Sequence, residues 1–157
     1  LRLRVIAIGT RMPGWVDAAV GDYQRRLRDP WRLTVTELPV GARGQAGGAL
    51  ERAKASETRA ILGQLSTRDF VVALDEHGTE STTLELARWL AERQAGGQDL
   101  AFVLGGPDGL SAEVLQRARR RWSLSRLTLA HGLARVVLIE QLYRAVCVLA
   151  GHPYHRE

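Results

Sequence analysis

Three stretches of the chain are apolar on consecutive residues: "RVIAIG" after Leu3, "FVVALD" from Phe70 and "LAFVLGG" from Leu100. Side chains of a strand alternate between faces, so a strand that is apolar throughout needs cover on both sides. Between these stretches lie segments with helical spacing, so strand and helix alternate along the chain. That pattern specifies an α/β fold, a mostly parallel sheet with helices on both faces.

The helices and loops follow from local signals. Pro13 suits an early helical position, and Trp15, Ala19, Tyr23 and Leu27 recur every four residues until Asp29-Pro30 stops the helix. "RLTVTEL" reads as a second strand, and Pro39 to Gly48, "PVGARGQAGG", as a flexible loop carrying Arg43. A polar helix is expected over about 49–65. Ser81 or Thr82 should cap the next helix, with Glu85 completing a capping box after Thr82. Ser111 should cap a short helix ending in Arg119, Arg120 and Arg121, and "WSLSRLTL" should form a short strand or an ordered loop. The longest apolar-rich helix is expected over 132–150, buried over more than one face, as in a core or a dimer interface. Within it Arg135 and Arg144 need counter-charges; Glu140, four residues before Arg144, can supply one. With no repeat and no linker, 157 residues make a single domain, 1–157.

No apolar run reaches the ~20 residues of a membrane helix, and the Arg-rich start lacks the pattern of a secretory signal. A cytoplasmic protein without membrane contact is expected. Cys147, the one cysteine, lies in "AVCVLA" and belongs in the core. Of 22 basic residues all but Lys54 are arginine, and the net charge is +5. Coding bias accounts for arginine over lysine but not for the positive balance, which favours a polyanionic partner such as RNA.

Ligands of open α/β sheets bind beyond the carboxyl ends of the strands. Three segments leave strands in the second half of the chain: "LDEHGTE", "LGGPDGL" and "SLSRLTLAHG". The glycines of "LGGPDGL" make either a tight turn or a backbone cradle for a ligand. Their pattern is not a dinucleotide fingerprint. Asp75, Glu76 and His77 point apart and have no companion ligands elsewhere, so no metal site is expected. Absence of G-x-S-x-G argues against a serine nucleophile. His131 is either structural or chemical. The terminal "HPYHRE" concentrates titratable groups where chains usually fray.

"LGGPDGL", "SLSRLTLAHGLARVVLIEQLYRA" and "HPYHRE" together resemble the ribosomal large subunit methyltransferase H family, minimal members of the SPOUT methyltransferases. "VIAIGTRMPGWV", "YQRRL" and "VVALDEHG" agree, so the likeness spans nearly the whole chain. The resemblance implies an S-adenosylmethionine-dependent enzyme methylating N3 of a pseudouridine in a stem-loop of 23S rRNA, on the assembled 70S ribosome. It also implies a homodimer and a C-terminal trefoil knot over about 100–157, an exception to unknotted topology.

Carried over by motif, the donor contacts fall on Leu74, Gly105, Leu124, Ser125, Arg126, Leu127, Thr128 and Leu129. The tail would fold over the donor, in its own or the partner's site. His155 would accept the imide proton or position the base, with Tyr154 the next candidate and able to stack on or hydrogen-bond the base, and Arg156 and Arg144 would supply cations. Arg117, Arg119, Arg120 and Arg121 are the basic patch expected to meet rRNA, or else favour a helix dipole. Two other functions fit such a chain: a noncatalytic ribosome-binding assembly factor, and a knotted methyltransferase acting on tRNA ribose.

Overall fold

The computed structural model describes residues 1–156. Five strands, β1 (Leu3–Ile8), β2 (Leu33–Leu38), β3 (Phe70–Thr79), β4 (Leu100–Leu104) and β5 (Arg120–Trp122), form one sheet in the order β2-β1-β4-β3-β5. Every pairing is parallel. The helices are α1 (Gly14–Arg26), α2 (Ala49–Gly63), α3 (Thr83–Ala95), α4 (Ala112–Arg117) and α5 (His131–Ala150), followed by a 3₁₀ turn, Pro153–Arg156.

The two-sided apolar strands divide as their alternation requires. Leu3, Val5 and Ala7 of β1, with Leu100, Phe102 and Leu104 of β4, pack under α1, α3 and α5. Ile6, Ile8, Ala101 and Val103 point the other way, toward Ile61 of α2 and Val114 of α4. On the larger face Phe70, Trp89, Phe102 and Trp122 meet in successive edge-to-face contacts, with ring centroids 5.7 to 6.3 Å apart. Helix α5 lies between α1 and α3, and Thr83 donates to Gln141 across the α3–α5 seam at 2.7 Å. Cys147 is buried. Among the described residues no helix is long and apolar enough to cross a membrane.

Several local expectations change. The buried stripe of α1 is Val16 and Val20, while Trp15 is 56% exposed, because a strict four-residue spacing drifts about 40° per step around the helix and leaves Trp15 off that face. Pro13 caps that helix rather than opening it. Thr82, not Ser81, caps α3, and its capping box with Glu85 is complete. Helix α4 ends at Arg117, and Arg120 and Arg121 belong to β5, so only Arg117 complements a helix end. Arg120 stacks 4.7 Å from the Trp89 ring and donates to Ser81, whereas Arg119 and Arg121 remain exposed. Pairing overrode helix propensity here, since β5 extends the sheet beside β3.

Phe102 is fully buried at the centre of the larger core, and Leu84 is more than half exposed on α3. Phe102→Ala is expected to lose about 3–5 kcal/mol, and Leu84→Ala no more than about 0.5 kcal/mol. Urea unfolding with unchanged m-values checks both.

Candidate functional site

The carboxyl end of the sheet gathers all three segments singled out in the sequence. β3 runs beyond "FVVALD": Leu74 pairs with Trp122, the register then shifts, and Thr79 pairs with the same Trp122. Asp75 to Gly78 therefore continue an irregular strand instead of forming a turn. A Cβ on Gly78 would lie 2.6 Å from the Arg121 carbonyl carbon, so glycine alone permits this approach.

Residues 123–130 leave β5 as an ordered loop. The Ser123 N–H donates to the Thr79 carbonyl at 2.9 Å, the Ser123 hydroxyl to the Ser125 carbonyl at 2.9 Å, and Ser125 Oγ accepts from the Leu127 N–H at 2.9 Å. These short-range hydroxyl bonds stiffen a loop with no regular structure. Between it and the end of β3 is an open cleft of about 150 Å³. Leu74, Asp75, Glu76, Trp122, Ser123, Leu124, Ser125, Leu127, Thr128, Leu129 and Ala134 line it. Of the eight predicted donor contacts, Leu74, Leu124, Ser125, Leu127, Thr128 and Leu129 are brought together there; Gly105 and Arg126 are not in the lining. Arg126 instead pairs with Glu80 at 3.0 Å. The Trp122 indole N–H is buried without a partner among the described residues. The walls are apolar, the loop offers backbone groups, and Asp75 and Glu76 bring carboxylates, a combination suited to a ring-bearing ligand with a cationic centre.

The glycine loop after β4 is held by its own close turn and by Arg43, and a second cluster lies near the ends of β1 and β2. Gly105 packs against the Gly109 backbone so closely that a Cβ would lie 2.6 Å from it, and Gly109 takes a positive φ of 74°. Arg43 donates to Glu57 at 2.6 Å and to Asp108 at 2.8 Å, so the Arg43 loop is tied down rather than loose. The second cluster is one that the sequence did not reveal. Arg135, only 2% exposed, pairs with Glu37 and donates to the Gly9 carbonyl and to His131 Nε2, each at 3.1 Å. Burial and the Arg135 charge lower the His131 pKa, against a backbone contact with Gly105 that favours protonation.

The terminal turn docks on α5 away from the cleft. The Tyr154 hydroxyl lies 3.0 Å from that of Tyr23 and donates to Glu140 at 3.2 Å. Arg144 pairs with Glu140 at 2.8 Å, as the i,i+4 spacing implied, and its guanidinium lies 4.8 Å from the Tyr154 ring centre. His155 Nδ1 is 2.6 Å from the His152 carbonyl, and Arg156 is exposed. Burial, then Tyr23 and Glu140, push the Tyr154 pKa well above the ordinary tyrosine value. Ten residues of helix separate Ala134 at the cleft from Arg144, ~15 Å at 1.5 Å per residue. Among the described residues, no group of three or more His, Cys, Asp or Glu side chains could hold a metal ion.

Residues 1–155 match the family described as "Predicted SPOUT methyltransferase". Proteins named ribosomal RNA large subunit methyltransferase H are similar end to end. That of Thiobacillus denitrificans is 46% identical over all of both chains, and that of Alkalilimnicola ehrlichii 48% identical over 99% of each. A solved methylase family structure from Neisseria gonorrhoeae superposes with a TM-score of 0.52 at 17% identity, covering 90% of this chain and 81% of that one, which bears on the fold alone. A full-length match to the family model, with relatives at this identity, makes the chain a methyltransferase belonging to the SPOUT family, in the group of the ribosomal RNA large subunit methyltransferases H.

Proposed function

We propose that the chain transfers a methyl group from S-adenosylmethionine to N3 of a pseudouridine in 23S rRNA of the assembled 70S ribosome, working in the cytoplasm as a homodimer. The observation that carries this is the cleft between Leu74 and the Leu124–Leu129 loop, where six motif residues converge on one open space. The names of the full-length relatives support ribosomal RNA as the substrate.

The residues present fit the donor. Apolar walls from Leu74, Leu124 and Leu129 suit a purine ring, the unpartnered Trp122 N–H offers a donor beside them, and Asp75 and Glu76 favour a sulfonium. When bound, S-adenosylmethionine supplies an electrophilic methyl group. The loop's part is to orient and to exclude water, which accounts for a large share of such rate enhancement.

Uracil N3 becomes nucleophilic on losing its proton. Tyr154, with its pKa raised, keeps its proton and acts as a hydrogen-bond donor, leaving His155 to accept the imide proton. Arg144 and Arg156 stabilise charge developing on the ring oxygens or hold phosphate. Because the tail docks about half a helix from its own cleft, one protomer's tail completes its partner's site. Exposed Leu133 and Trp15, at the first turns of α5 and α1, suit such an interface. β4 lies inside the sheet while the later β5 lies beyond β3, an arrangement that supports a threaded, knotted segment over about 100–157. Arg119 and Arg121 on the β5 edge suit rRNA phosphates.

Calorimetry of the wild-type dimer should detect S-adenosylmethionine binding. Thr128→Trp, on the exposed side of the cleft, is expected to weaken it at least ~tenfold without changing the circular dichroism spectrum. On ribosomes lacking the modification, His155→Ala is expected to lower kcat ~10²–10⁴-fold while donor affinity holds. Mass spectrometry of the wild-type product should find N3-methylpseudouridine. Methylation of a ribose, or full turnover by His155→Ala, would reject the mechanism.

A further inference from the structure

Arg43 stands where three parts of the chain meet: the loop after β2, helix α2 and the glycine loop after β4. Its own loop is anchored on α2 in two ways. Glu57, a buried carboxylate of α2, accepts from the Gly41 N–H at 2.9 Å. Gly41 also lies so close to α2 that a Cβ would sit 2.4 Å from the Ala53 carbonyl oxygen. From this anchor Arg43 reaches in two directions. Its Nη1 donates to Glu57 at 2.6 Å and to the Gly41 carbonyl at 2.8 Å, while Nε donates to Asp108 at 2.8 Å.

Asp108 belongs to the turn that follows β4, which the Gly109 N–H closes from within by donating to the Gly106 carbonyl at 3.0 Å. Gly106 rests on the same anchor: a Cβ there would lie 2.8 Å from Glu57 Oε1 and 2.9 Å from Ile8 Cγ2. Two contacts thus tie the turn to α2, the seat of Gly106 against Glu57 and the Arg43–Asp108 ion pair. Ala73 of β3 is in register with Val103 of β4, so Gly105 leaves the sheet beside the strand whose end, from Leu74, lines the cleft.

Burial ranks the two carboxylates. Glu57 is out of water and needs the guanidinium as counter-charge, whereas the Asp108 side chain is 37% exposed. Arginine presents its N–H groups in one rigid plane, so holding Glu57 through Nη1 sets the direction in which Nε meets Asp108. We propose that Arg43 is a positioning residue for the methyl donor: braced on Glu57, it clamps Asp108 and so holds the turn that carries Gly105 in one place before the donor arrives. This rests on the reading that Gly105 contacts S-adenosylmethionine. Arg43 is not in the cleft lining and acts through the turn. A loop ordered in advance spares the ligand that ordering, so loss of the clamp raises KM for the donor and leaves kcat in place.

The test uses the full-length chain with variants at Asp108, which leave the buried Arg43–Glu57 pair intact. Asp108→Ala removes the acceptor; Asp108→Asn keeps an oxygen for Arg43 Nε. Without ligand, amide hydrogen exchange over 105–110 is expected to speed ~tenfold in the alanine variant and to stay within ~threefold of wild type in the asparagine variant. KM for S-adenosylmethionine should rise ~3–10-fold in the alanine variant with kcat within ~twofold, and asparagine should restore it. Raising salt to ~1 M, where the screening length falls to ~3 Å, should move wild-type exchange at 105–110 toward that of the alanine variant. If the alanine variant exchanges as wild type does, or asparagine is as impaired as alanine, the ion pair does not hold the turn and the proposal fails. Faster exchange with an unchanged KM would reject the positioning role. If the exchange contrast holds but wild type binds no S-adenosylmethionine, the clamp stands and the donor reading falls.

Discussion

Everything at the working end of this molecule is organised around one buried cation. Arg135 sits almost wholly out of water at the carboxyl edge of the sheet, where an uncompensated charge would cost several kcal/mol. Its compensation comes from Glu37, 98 positions away, and from the Gly9 carbonyl, 126 positions away. The ends of β1 and β2 and the start of α5 must therefore meet at one point, or the charge is stranded. This demand for a unique arrangement exceeds what apolar packing would impose, since leucine or methionine there would tolerate sliding.

The cleft inherits its shape from that junction. Arg43 fastens the glycine loop after β4 from the α2 side by pairing with Glu57 and Asp108, while Arg135 ties the start of α5 to the ends of β1 and β2. The loop after β5 is stiffened by its own serine hydroxyls and is continuous with α5. A ligand entering between Leu74 and Leu129 thus meets backbone that is already ordered, and orientation by such backbone is the larger part of what a methyl transfer asks of a protein. The terminal turn is ordered differently, by aromatic and hydrogen-bond contacts of Tyr154 to Tyr23, Tyr143 and Glu140 on the outer face of α5. The terminal turn and the cleft are thus separated in the single chain.

Much of this was legible before the structure. The two-sided apolar strands gave the sheet, Thr82 with Glu85 gave the start of α3, and Glu140 with Arg144 gave an ion pair, because each depends on neighbours within a few residues. Leu74 and most of the 124–129 loop share one cleft because strand ends in a parallel sheet converge on one edge. The misreadings share a cause. Trp15 was placed in an inward stripe, and Arg119–Arg121 at the end of a helix, from spacing alone. The drift of a four-residue spacing around α1 and the pairing of β5 with β3 decided otherwise.

The sequence by itself determined the α/β class, the caps and the segments that leave the strand ends, since alternation, capping and turn formation are local and leave their period in the residues. Only the tertiary structure decided that Arg135 belongs to Glu37 and Gly9, that Arg43 closes on Asp108, and that Gly105 stays out of the cleft lining. Those pairings join residues far apart in the chain, and a charge or a glycine announces a need for a partner without saying which distant strand will bring it.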